Sequence, residues 1–185
     1  LAALAPTGRE GGKGAELTSY AAVAIGDADA VRRMDREGRL KNDDWGRGGL
    51  LSIAVKVNRI DMVSLLLDLG LDPNEPADGG DGGSVAGAPL WFASMCGRHE
   101  IAELLISRGA DVNAVLNGNA DALYCAERTG DERMQALLLK HGARTTVERV
   151  AGQRDRETAR GILEGRIPGT SLNVEEPTLT DLAEQ

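Results

Sequence analysis

The chain has 185 residues, with 21 Lys and Arg against 29 Asp and Glu, for a net charge of −8. That length suits one elongated array rather than two globular domains, and the acidic balance argues against nucleic acid, whose phosphates it would repel. No apolar run approaches the ~20 residues that a membrane span requires.

In chain order, residues 1–14 are small and Gly-rich and are expected to form a loose N-terminal segment. The stretch Ser19 to Gly38 follows, with Arg32, Arg33 and Asp35 around Met34. A polar outer helix suits the terminal unit of a stack, because one of its faces meets water. Next come Leu50 to Asn74, Ala88 to Asn113 and Ala122 to Thr146, in which Leu51, Leu90 and Leu123 align, as do Ala54, Ala93 and Ala126. Gly109 and Gly142 are 33 residues apart, Gly70 and Gly109 are 39 apart, and Gly38 and Gly70 are 32 apart. The long step marks an insertion of 6 residues, within Pro76 to Gly87.

Each unit predicts two short antiparallel helices. In the best copy, Pro89 suits a first helical turn, where a missing N–H costs nothing. Leu90, Ala93 and Ser94 fall at i, i+3 and i+4, and Ile101, Leu104 and Leu105 repeat that spacing on the second helix. Gly97 and Gly130 turn the chain between helices, and Asn58 takes that place one unit earlier. Gly109 stops the second helix, and Asp111 and Asn113 lead into the next unit. Leu, Ile, Val and Ala fill such a core without large rings, in keeping with an aromatic content of only 3%.

Beyond Gly142, Thr145-x-x-Glu148 reads as a capping box. Short helices from Val147 and over Asp155–Glu164, with Gly165 as stop, would make a degenerate fifth unit. The array is thus expected to span residues 15–166, with 167–185 a linker or the start of a further helix.

The period and the motifs Ala88-Pro89-Leu90-Trp91, Gly97, Leu104-Leu105 and Gly109-Ala110-Asp111-Val112-Asn113 resemble the ankyrin repeat. The resemblance covers roughly Leu17 to Gly142, although no copy keeps the family's Thr or His. It implies an all-α solenoid of stacked helix-turn-helix units joined by β-turn or hairpin loops, about four recognisable units plus the degenerate C-terminal pair. It also implies a module that binds another protein on its concave side, at the turn tips and the exposed face of the first helices.

Carried over position by position, the helix candidates are Lys56 and Val57, Met95 and Cys96, and Arg128 and Thr129, with Ala24 and Ile25 as their counterparts in the first unit. The turn-tip candidates are Trp45, Ser84, Val85 and Asn117. Trp45 reads either as a ring folded over the stack edge or as an exposed anchor of the type enriched at hot spots. Met95 beside Val57 reads either as an adaptable apolar patch or as partly buried between helices. Trp91 and Tyr124, at the family's His position, are expected to pack near the turns.

Two glycine-spaced carboxylates in the insertion, Asp78 and Asp81, offer too few oxygens for Ca²⁺, which takes about 6–8. No metal or other cofactor is expected, and the insertion reads as an extended finger. His99 and His141 stand near no nucleophile, and no Gly-rich stretch carries the Lys-Ser/Thr of a phosphate loop, so no enzyme is expected. Cys96 and Cys125 lack metal spacing and read as free thiols, in keeping with a cytoplasmic monomer. The alternative is a structural or regulatory segment of a longer multidomain protein.

Overall fold

The computed structural model describes residues 17–40, 49–78, 84–85, 87–115, 120–146, 150, 156–166 and 169–170. Helices come in pairs: α1 (Ser19–Ile25) with α2 (Ala28–Arg36), α3 (Leu50–Lys56) with α4 (Ile60–Asp68), α5 (Ala88–Met95) with α6 (His99–Ser107), and α7 (Ala122–Thr129) with α8 (Glu132–Lys140). The first helices α1, α3, α5 and α7 pack in sequence, and the second helices α4, α6 and α8 form a parallel row. Helices this short are marginal alone, so lateral burial holds each one.

The expected seam is the core. Ala22, Ala54, Ala93 and Ala126 are fully buried between first helices, and Leu51, Leu90, Ile101, Leu105, Met134 and Leu138 fill the space between rows. Small Ala at the recurring position lets neighbouring helices approach closely, so one continuous core runs through all four units.

Turn chemistry fixes the helix ends. Asn58, Gly97 and Gly130 have φ of 58°, 63° and 68° between paired helices, and Gly70, Gly109 and Gly142 have 88°, 93° and 88° after the second helices. Thr18, Asp27, Asp121 and Asp131 accept bonds from the amides of Ala21, Ala30, Tyr124 and Met134 respectively, capping α1, α2, α7 and α8.

The insertion forms a small antiparallel hairpin, β1 (Ala77–Asp78) on β2 (Ser84–Val85), with Ala77 opposite Val85. Past the fourth unit, β3 (Thr145–Thr146) pairs in parallel with β4 (Gly169–Thr170), and α9 (Arg156–Leu163) lies between them in sequence, followed by Gly165 with φ of 69°. Residues 147–149, where a first short helix was expected to begin, lie outside the described residues. Among the described residues, no helix is long and apolar enough to cross a membrane.

Candidate functional site

The four pairs bring the same turn-facing positions of successive first helices into register. Ala24-Ile25, Lys56-Val57, Met95-Cys96 and Arg128-Thr129 each lie four and five residues after Tyr20, Ser52, Trp91 and Tyr124. Three of these side chains are large, apolar and open to solvent: Ile25 is 60% exposed, Val57 44% and Met95 38%. Among the described residues only Ile60 and Leu139 join them as exposed large hydrophobics, and both lie on second helices. An apolar row at one edge of a stack is the informative departure from ordinary burial.

The polar members of the row have definite surroundings. Lys56 Nζ sits 3.7 Å from the centre of the Phe92 ring, a cation–π contact across α3 and α5. Burial lowers the Lys56 pKa below its ordinary value, and the neighbouring Cys96 and Glu75 partly counter that. Phe92 in turn meets Trp91 edge-on, with centroids 5.0 Å apart, and both rings pack on Ala88. Thr129 Oγ1 donates back to the carbonyls of Cys125 and Ala126, so its methyl is the part left for other contacts. Arg128 is exposed and Cys96 half-buried.

Cys125 is a different thiol. It is buried, and burial pushes its pKa up to about 11, which keeps it protonated and inert. Both cysteines are free. Ser84 and Val85 form the second strand of the hairpin, whereas Trp45 and Asn117 lie outside the described residues. Among the described residues, no group of three or more His, Cys, Asp or Glu stands where it could hold a metal ion.

Several residues that set the geometry carry no local sequence signal of that role. Glu75, in the turn after α4, is buried and accepts from the Ser52 amide, capping α3 from 23 residues away. Ser94 donates at 2.5 Å to the carbonyl of Ala122, joining α5 to the start of α7. These bonds and the Asp121 cap tie the helix starts together without the family's Thr and His. Asn74 donates to the Gly109 carbonyl at 3.0 Å and accepts from the Asp111 amide at 2.7 Å. Asn113 repeats this one unit on, to the Gly142 carbonyl and the Arg144 amide at 3.2 and 2.9 Å. The recurrence of Asn four residues after Gly70 and Gly109 was the available clue.

At the edge of the row, Arg59 Nη2 donates to the Ile25 carbonyl at 2.6 Å, and His99 Nε2 lies 2.8 and 2.9 Å from the two Asp131 oxygens. Both contacts join one unit to its neighbour beside the helix turns. Burial pushes the Asp131 carboxyl up. Hydrogen bonds from His99 and from the Met134 and Arg133 amides, with the charge of His99, outweigh that and hold it below the usual carboxylate range.

The family pattern for ankyrin repeats, three copies long, matches residues 18–116 and again 51–149. An ankyrin repeat protein of fowlpox virus (strain NVSL), FPV031, is 35% identical over 103 residues, 55% of this chain and 29% of that one. Protein PhlB of Serratia liquefaciens is 34% identical over 128 residues, 68% of this chain and 53% of its own length. Alpha-latroinsectotoxin-Lt1a of Latrodectus tredecimguttatus is 29% identical over 94 residues, 50% of this chain and 6% of the toxin. The chain therefore spans about half the length, or less, of these relatives. The matched span and the stacked helix pairs coincide, and the chain belongs to the ankyrin repeat family, whose repeats are in general protein-binding and typically non-catalytic modules.

Proposed function

We infer that the chain holds a partner polypeptide along the row made by the turn-facing ends of its first helices. The observation that carries this is the alignment of exposed Ile25, Val57 and Met95 on three consecutive units, flanked by Lys56 and Arg128. An apolar centre with charged flanks is the ordinary anatomy of a protein interface. Met adapts to irregular partner surfaces, and the buried seam behind the row keeps the frame rigid, so little ordering cost attends binding. The hairpin at Ser84 and Val85 extends the same surface in this reading, and Trp45 and Asn117, outside the described residues, remain candidates on the strength of the sequence alone.

A photo-crosslinking residue placed at Met95 in the native cell tests it. Capture of a defined protein, lost at least tenfold in Val57→Lys with an unchanged melting temperature, is the expected result. Equal capture from Lys140, at the end of α8, would overturn it.

A second reading, an array serving inside a longer protein, is favoured by the greater length of the relatives. Mapping the native reading frame tests it: a frame confined to this chain removes it.

A further inference from the structure

The edge between α3 and α5 brings an amine and a thiol together. Lys56 ends α3, and its Nζ lies 3.7 Å from the centre of the Phe92 ring. Cys96 stands one full helical turn beyond Phe92, its backbone amide donating to the Phe92 carbonyl at 2.9 Å. Residues so spaced share a helix face, with Cβ atoms about 5–6 Å apart, and their side chains lean back toward the preceding turn. The Cys96 thiol therefore stands on the side of α5 that Lys56 covers, close enough for its charge to act on the Lys56 amine. We propose that the two residues form an acyl-relay site, in which Cys96 takes an acyl group from a thioester and Lys56 receives it as an amide. The proposal stands whether or not the row holds a partner.

The chemistry balances without an oxidant or a metal. The Cys96 thiolate attacks the carbonyl carbon of an acyl thioester, a new carbon–sulfur bond forms, and the donor's thiolate leaves and takes a proton from water. The neutral Lys56 amine then attacks the same carbonyl carbon. The bond to Cys96 sulfur breaks, the carbon–nitrogen bond remains, and the proton lost by nitrogen returns to the Cys96 sulfur. The thiol is regenerated, and the net change is one thioester converted to one amide and one free thiol. Holding amine and acyl carbon within one turn makes the second step intramolecular, which is its main advantage over attack from solution.

Three further observations support this. Lys56 is half-buried, and burial, the larger influence on it, favours the neutral amine that the second step needs. Cys96 is half-buried and so within reach of a donor, whereas Cys125 is buried, with its thiol pushed up to about 11. Val57 follows Lys56 and Met95 precedes Cys96, and both are exposed, so apolar surface adjoins the pair where an aliphatic acyl group would rest. Acylation would remove the Lys56 charge and with it the cation–π contact to Phe92, which leaves Arg128 as the cation among the described members of the row.

Peptide-mapping mass spectrometry of the full chain after exposure to S-acetyl-N-acetylcysteamine tests the relay. Lys56 is expected to gain an amide-linked acetyl group roughly tenfold faster, or more, than Lys140, which is exposed at the end of α8 with neither cysteine on that helix. Cys96→Ala should bring Lys56 down to the Lys140 rate, with an unchanged melting temperature showing that the array is intact. Lys56→Arg, which keeps a cation over Phe92, should instead trap the acetyl group on Cys96 as a thioester that hydroxylamine releases. In the wild type, the passage from thioester to amide should run at a rate independent of protein concentration. Acetylation of Lys56 equally fast in the wild type and in Cys96→Ala overturns the proposal, since the amine then takes its acyl group directly from solution. So does the absence of a trapped thioester in Lys56→Arg, a result that counts even if Cys96→Ala fails to fold. Either result leaves the row as a site for external partners, which cross-linking from Met95 decides separately.

Discussion

The carboxylate of Glu75 accepts a hydrogen bond from the backbone amide of Ser52 at 2.7 Å, although Glu75 itself is only 1% exposed. The N-cap residue of α3, Gly49, offers no side chain, so Glu75 supplies the acceptor from the turn after α4. Glu75→Ala would leave the amide buried and without its acceptor, and is expected to cost about 2–3 kcal/mol. Glu75→Gln, which keeps an acceptor oxygen, should recover roughly half of that. Urea unfolding followed by circular dichroism reads both.

Each of Asn74 and Asn113 makes two bonds to backbone atoms of the following unit. At about 0.5–1.5 kcal/mol per bond, Asn74→Ala or Asn113→Ala should destabilise the array by about 1–3 kcal/mol. Because these joints help couple neighbouring units, the double substitution should also broaden the unfolding transition. A transition as sharp as the wild type's, at the same denaturant concentration, would contradict this.

Gly87 and Gly109 both have positive φ, 86° and 93°, but differ in their surroundings. A methyl at Gly109 meets nothing, whereas one at Gly87 runs into the Cβ of Ala114 in the next unit's turn. Gly109→Ala should therefore cost about 1–2 kcal/mol from backbone strain alone, and Gly87→Ala about 2–4 kcal/mol once overpacking is added. Thermal melts should rank the two variants in that order, and Gly87→Ala combined with Ala114→Gly should fall back toward the Gly109→Ala level.

The depressed pKa of Asp131 fixes the sign of a pH effect. A carboxyl lowered in the folded state contributes stability above its unfolded pKa and loses it as pH falls through the folded value. The contribution should thus be complete above about pH 4 and fade below it. Asp131→Ala, which loses the α8 cap and the His99 contact, should cost about 1–2 kcal/mol at neutral pH. The gap from wild type should close on acidification, as denaturation at pH 7 and pH 3 will show.

Most of the frame was legible because its signals are local and recurrent. A Gly that must be left-handed after a helix, and an Ala that must be small between two helices, reappear at a fixed step, and the residues so identified have positive φ or are fully buried. Val57 and Met95 were named through the family resemblance, with partial burial of Met95 left open, and they are 44% and 38% exposed. What escaped are contacts between residues far apart in sequence. Glu75 reads as one more turn residue, since Ser52, 23 positions earlier, gives no hint of its need. His99 looks idle until α8 places Asp131 against it from 32 positions away. Lys56 was expected at the row, but the Phe92 ring beneath it depends on how α5 lies against α3. The insertion was read as an extended finger, and its described ends pair as a hairpin.

The asparagines grip their neighbours through main-chain carbonyls and amides, which every residue type except proline supplies. The residues at the row's surface can therefore change identity over generations without loosening those joints, leaving what the array recognises free to diverge while its shape is inherited.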